Sequence, residues 1–154
     1  MKRRALLAGI AVSGASALNA QRSPLSAVQA VQAAICNYYD VWQARDVSLY
    51  RTLLTDDYML LEHGVRMNVE DDVRMMPAPG SQRSNVFDFR ATEIVNDVAY
   101  AHWFLVSKMT GEKGLRERRW LESGVLRRSK GAWKVALLHS TRIDEKQQPE
   151  AHND

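Results

Sequence analysis

Cysteine is almost missing. Cys36 is the only one in 154 residues, so no disulfide can form within the chain. Its place in an apolar helical stretch reads as a buried thiol rather than a reactive one. The four histidines, His63, His102, His139 and His152, show no metal-site spacing, and no metal is expected. There is no glycine-rich phosphate loop, and no cofactor is expected. Glu122-Ser123-Gly124-Val125 lacks the preceding glycine of a nucleophile elbow. No apolar run is long enough to span a bilayer, so a stable membrane anchor is not expected. Neither repeat nor linker divides the chain, and its length suits one domain with a real core.

A charge of one sign is also missing once the first residues are set aside. Lys2, Arg3 and Arg4 precede a short apolar run, Ala5 to Val12, and then small residues, Ser13 to Ala17. That is the pattern of a signal peptide over 1–20, with cleavage after Ala17 or after Ala20. Arg3-Arg4-Ala5-Leu6-Leu7 also resembles a twin-arginine export address, and the general secretory route stays open beside it. The remainder holds equal numbers of basic and acidic residues, 18 of each once those three basic residues are removed from 21. The sequence pI of about 9.2 therefore belongs mostly to the signal, and nucleic acid is not an expected partner. The mature chain is expected in the periplasm or outside the cell.

What is present is a helix-rich first half and a strand-rich second half. Ser23-Pro24 reads as a helix start. Val28, Val31, Ile35, Tyr38 and Trp42 form one apolar stripe, with Tyr39 and Asp40 at its sides. Asp46 caps a short second helix, Val47 to Leu54. Tyr58 to Glu62 reads as a strand, His63-Gly64 as a turn and Val65 to Met67 as a return strand. Asn68 caps a third helix, with Glu70, Asp71 and Asp72 in its favourable first turn. After the Pro77 to Ser81 loop come strands Val86 to Val95 and Val98 to Met109, then a final hairpin, Trp120 to Arg128 and Trp133 to Ile143. The expected fold is α+β: helices on one face of a strongly curved antiparallel sheet. Residues 144–154 are polar and read as a disordered tail.

The final hairpin supplies the first site candidates. With Lys130-Gly131 as the turn and Ser129 facing Ala132, Trp120 faces Thr141, Glu122 faces His139, and Leu126 faces Val135. Strand alternation puts all of them on one face. A face of Trp, Leu and Val with one carboxylate and one imidazole is a core with an ion pair or a pocket wall. His102 alternates with Phe104, and pairing Val95 with Val98 sets Phe89 opposite Phe104. If that bulky face points inward, His102 lines the pocket; the other face carries Trp103 and Leu105. Arg116, Arg118, Arg119, Arg127, Arg128 and Lys130 form a basic zone, either a solvated face or an anion or membrane site.

Leu53-Leu54-Thr55-Asp56-Asp57-Tyr58, Gly131-Ala132-Trp133-Lys134-Val135 and Leu138-His139-Ser140-Thr141 resemble the SnoaL-like proteins of the nuclear transport factor 2 and ketosteroid isomerase superfamily. The resemblance covers about residues 24 to 143. It implies a SnoaL-like domain over 21–143: a conical sheet with a long N-terminal helix and two short helices on its concave face. It also implies an internal pocket and often a homodimer. By the same resemblance Tyr38 would be an oxyanion donor, Glu62 the proton carrier, and Glu122, with His139 as partner, the third group. The two glutamates stand where the isomerases carry Asp. Trp42, Tyr58, His102 and Trp120 would line the pocket around a small apolar molecule. Two function classes follow. One is a cofactor-independent isomerase, dehydratase or cyclase working by acid–base chemistry; the other is a non-catalytic binding or dimerisation module.

Export predicts a mature N-terminus at Leu18 or Gln21. N-terminal sequencing of protein from the periplasmic fraction checks this; an intact Met1 start overturns it.

Overall fold

Ser26 caps the first helix with a capping box. Its hydroxyl accepts from the Gln29 amide at 3.2 Å, and the Gln29 side chain accepts from the Ser26 amide at 2.9 Å. The computed structural model describes residues 26–111 and 114–143. The expected signal segment 1–20, the start at Ser23-Pro24 and the tail 144–154 lie outside the described residues. Helix α1 (Ala27–Ala44) ends where Arg45 takes a left-handed conformation. Helices α2 (Val47–Thr52) and α3 (Val69–Arg74) are capped by Asp46 and Asn68, as the sequence suggests. No described helix is long and apolar enough to cross a membrane.

Six strands form one sheet in the order β2-β1-β6-β5-β4-β3: β1 Leu54–Glu62, β2 Val65–Met67, β3 Gln82–Val95, β4 Val98–Gly111, β5 Gly114–Ser129 and β6 Ala132–Ile143. The sheet is curved, unclosed and mixed, because β1 runs parallel to β6. This corrects the expectation of a wholly antiparallel sheet. The four-strand meander is antiparallel, but its last strand returns alongside the first strand of the early hairpin. Helix α1 packs Val31, Ile35, Tyr38 and Tyr39 against the inner face.

The final turn forms as read: Lys130 and Gly131 both have positive φ, and Ser129 pairs with Ala132. The expected register holds as far as Leu126 opposite Val135. A bulge then inserts Ala136, so Val125 pairs with Leu137, Ser123 with His139 and Glu122 with Ser140. Val135 and Ala136 are consecutive and both buried, which marks the break in alternation. The bulge overturns the expected Glu122–His139 pair. Ser140 faces inward beside Glu122, and His139 is exposed on the outer face.

A second bulge at Arg90 pairs Phe89 with Trp103 instead of Phe104. Trp103 and Leu105 are fully buried, so their face is the inner one, and His102 is exposed on the other side. His102 therefore does not line the interior.

Gly124 lets Trp103 lie flat on β5. A Cβ there would stand 3.2 Å from Trp103 Cη2 and 3.4 Å from the Leu137 carbonyl oxygen. Both neighbours are held in the core, so Gly124→Ala is expected to cost about 1–3 kcal/mol of stability by overpacking. Urea unfolding measures it; an unchanged midpoint would show that the ring gives way freely.

Candidate functional site

Between α1, the loop after α3 and the inner face of the sheet lies an open pocket of about 1020 Å³. Its chemistry is set by two buried carboxylates and one largely buried guanidinium. Asp72 on α3 is 2% exposed. Its Oδ2 accepts from the hydroxyls of Tyr38 at 2.9 Å and Tyr58 at 2.7 Å, and from Tyr50; its Oδ1 accepts from Trp42 Nε1 at 2.9 Å. Tyr38 and Tyr58 also touch each other at 2.8 Å. Three hydroxyl protons thus serve four oxygen–oxygen contacts. Burial pushes the Tyr38, Tyr50 and Tyr58 hydroxyls well above their ordinary range, and the charge of Asp72 adds to it in each. They act as neutral donors.

Glu122 on β5 is the second carboxylate, 4% exposed. Its Oε2 accepts from the Tyr39 hydroxyl at 2.6 Å and Trp103 Nε1 at 2.8 Å, and its Oε1 accepts from the Ser140 hydroxyl at 2.8 Å. Burial raises its pKa, and the bonds from Tyr39, Ser140 and Trp103 pull it back down in part. The Ala136 bulge makes this site possible, because it brings Ser140 inward.

Arg83 on β3 is the third group. Its Nε donates to Asn85 Oδ1 and to Ser107 Oγ, both at 2.9 Å, and Ser107 in turn donates to Asn85 at 2.6 Å. The guanidinium lies over the rings of Trp120 at 5.1 Å, Trp42 at 5.5 Å and Tyr39 at 5.8 Å. Burial lowers its proton affinity, while Tyr39, Glu122 and Glu62 hold it up. Among the described residues it makes no ion pair. At the mouth, Arg116 and Arg118 line the pocket, also without one. Arg45 and Gln43 at the end of α1 hold the Met75–Ser81 loop at the rim, through the carbonyls of Met76, Pro77 and Ser81.

Of the residues singled out from the sequence, Tyr38, Trp42, Glu62, Trp120 and Glu122 line the pocket. Tyr58 lies buried and bonded to Asp72, and His102 and His139 lie outside. Glu62 shares the inner face of β1 with buried Tyr58 and Leu60. Tyr39, Asp72 and Arg83 were not anticipated. Tyr39 continues the four-residue spacing of Val31 and Ile35, which widens the apolar stripe by one column. Asp72 reads from sequence as a helix-start charge, since its donors come from three other elements. Arg83 sits where β3 begins at Gln82, in a polar run with no apolar period to reveal a strand. Cys36 is half-buried, and burial, with Asp40 adding to it, raises its thiol. No group of described residues could hold a metal ion.

Neither a known protein family nor a curated protein matches the sequence. Solved structures do match. The hub of CaMKII from S. rosetta superposes with a TM-score of 0.68 at 16% identity, covering 79% of this chain and 100% of that one. An NTF2-like protein from Cytophaga hutchinsonii gives 0.66 at 18% identity, over 77% and 100%. A ketosteroid isomerase-like protein from Erwinia carotovora atroseptica gives 0.62 at 16%, over 76% and 96%. The fold is the NTF2-like cone. At such identities the likeness extends to the fold alone, which hosts both isomerase-like and association domains.

The raised pKa of Glu122 has a defined sign. Its contribution to stability is complete below the unfolded carboxyl value and is lost as pH rises through the higher folded value. Glu122→Gln can keep all three hydrogen bonds, with its oxygen accepting from Tyr39 and Trp103 and its amide donating to Ser140. The variant is expected to fold and to lose that part of the decline in stability above the ordinary carboxyl range. Glu122→Leu strands buried donors and should cost about 1–3 kcal/mol for each. Thermal unfolding across pH 4–8 compares the three proteins; parallel curves for wild type and Glu122→Gln would refute the assignment.

Proposed function

We propose that this chain is an exported small-molecule-binding domain whose pocket takes an organic anion, a carboxylate on an apolar body. Arg83 carries the reading. A cation held in an aromatic cage, fixed through Nε alone and lacking a carboxylate partner among the described residues, leaves its terminal nitrogens for a bidentate anion. Arg116 and Arg118 extend the positive field to the mouth, and Leu60, Leu138 and Met109 offer an apolar wall. The apolar ligand expected from sequence thereby gains an anionic head.

The acid–base alternative has less to work with. The Tyr38 hydroxyl faces Asp72 and Tyr58, and Glu122 accepts three hydrogen bonds, so neither offers a free proton to an oxyanion. Among the described residues, Glu62 is the one pocket carboxylate not saturated by donors. The same reading includes a homodimer through the outer face of β4–β6, where Tyr100 and Leu121 are 45% and 44% exposed.

The test is calorimetric titration with a panel of aromatic and aliphatic monocarboxylates and their primary amides. At least one acid is expected to bind tenfold or more tightly than its amide, and Arg83→Met to erase that preference. This is the size of one charge-assisted hydrogen bond, about 1.5–3 kcal/mol. Equal binding of acid and amide overturns the proposal. So does a preference that survives in a folded Arg83→Met protein. Turnover of an enolisable ketone, lost in Glu62→Gln, would move the reading to acid–base chemistry.

A further inference from the structure

The pocket's charges are layered along the strands. Glu62, Ser140 and Glu122 are paired neighbours across β1, β6 and β5, and all three line the pocket. They form one deep row, each strand step being about 4.8 Å. Trp120 lies two residues further along β5, roughly 7 Å toward the mouth, with the Arg83 guanidinium over its ring. Arg118 and Arg116 follow at the next inward positions of the same strand. Acid lies at the floor, a caged cation above it, and further cations at the rim.

The floor acids are not equivalent. Glu122 accepts three hydrogen bonds and Asp72 four, so their oxygens are filled. Glu62 has one polar contact among the described residues, His63 Nε2 at 3.5 Å, and its side chain is only 22% exposed. That contact is longer than a good hydrogen bond. Glu62 is therefore an acceptor inside the pocket with room for a donor. A simple anion seated on Arg83 would have this carboxylate nearby, since the charge of Glu62 reaches the guanidinium.

We infer that the ligand is a zwitterion, an amino acid or close relative, whose carboxylate meets Arg83 and whose ammonium group meets Glu62. The inference rests on the carboxylate-binding reading above and adds the second contact. An ammonium and a carboxylate separated by a few bonds, each at hydrogen-bond distance from its partner, span the gap between the Glu62 row and the caged guanidinium. The arrangement also gives specificity. A deamino acid leaves Glu62 without a donor, and an amine without a carboxylate leaves Arg83 without an acceptor.

The experiment titrates the full chain with the common amino acids and with the matching deamino acids, by calorimetry, for wild type, Glu62→Gln and Arg83→Met. Glu62 lies at a strand end, and circular dichroism confirms that each variant is folded. At least one amino acid is expected to bind tenfold or more tightly than its deamino acid. Glu62→Gln should abolish that difference while leaving the deamino acid bound equally or more tightly. Equal binding of both kinds to wild type overturns the zwitterion and leaves the carboxylate reading standing. A preference that survives Glu62→Gln overturns the role of Glu62. Binding of neither set sinks both readings.

Discussion

A carboxylate with almost no access to water has to be surrounded by donors, and Asp72 meets that constraint with groups from α1, α2 and β1. Through it the three elements are tied to one another. Tyr38 and Trp42 fix the end of α1, Tyr50 fixes α2, and Tyr58 ties both to the sheet. The pocket's helical wall is thus positioned by a polar knot rather than by apolar packing alone. Glu122 does the same from the sheet side, since Tyr39 crosses from α1 to meet it. The Tyr39 bond thus fixes the distance between the helical wall and the sheet at this point.

The sequence revealed local features well and phase poorly. Both short-helix caps, the Lys130-Gly131 turn and the inward face of Trp120, Glu122, Gly124 and Leu126 could all be read directly. Each depends on a residue and its immediate neighbours. The Ala136 bulge could not be read, because Trp133 to Ile143 is apolar enough to alternate in either phase. One extra residue moved His139 outward and Ser140 inward. The same failure placed Phe89 against the wrong ring, since Arg90 carries no mark of a bulge. Tyr39, Asp72 and Arg83 are defined by partners 14 to 83 residues away, or by three rings from α1 and β5, and no local pattern encodes that.

These burials also separate groups that hold the structure from groups that remain free. Every tyrosine hydroxyl near the floor is engaged by a carboxylate. The groups left over near the floor are the Arg83 guanidinium and the half-buried Glu62 carboxylate, with Arg116 and Arg118 at the mouth. A site can be rich in titratable residues and still offer few of them to a ligand. Satisfied hydrogen bonds, more than residue type, decide which.

The placement of the indoles makes the molecule its own optical probe. Of the four tryptophans, Trp42 and Trp103 each give their N–H to a buried carboxylate and Trp120 lies beneath a guanidinium, while Trp133 sits with the distal hairpin near Arg128. Emission from the first three depends on the electric field at the pocket floor, and the fourth supplies a reference outside it. Changes in charge or hydration within the cavity therefore register as changes in fluorescence, with no label attached.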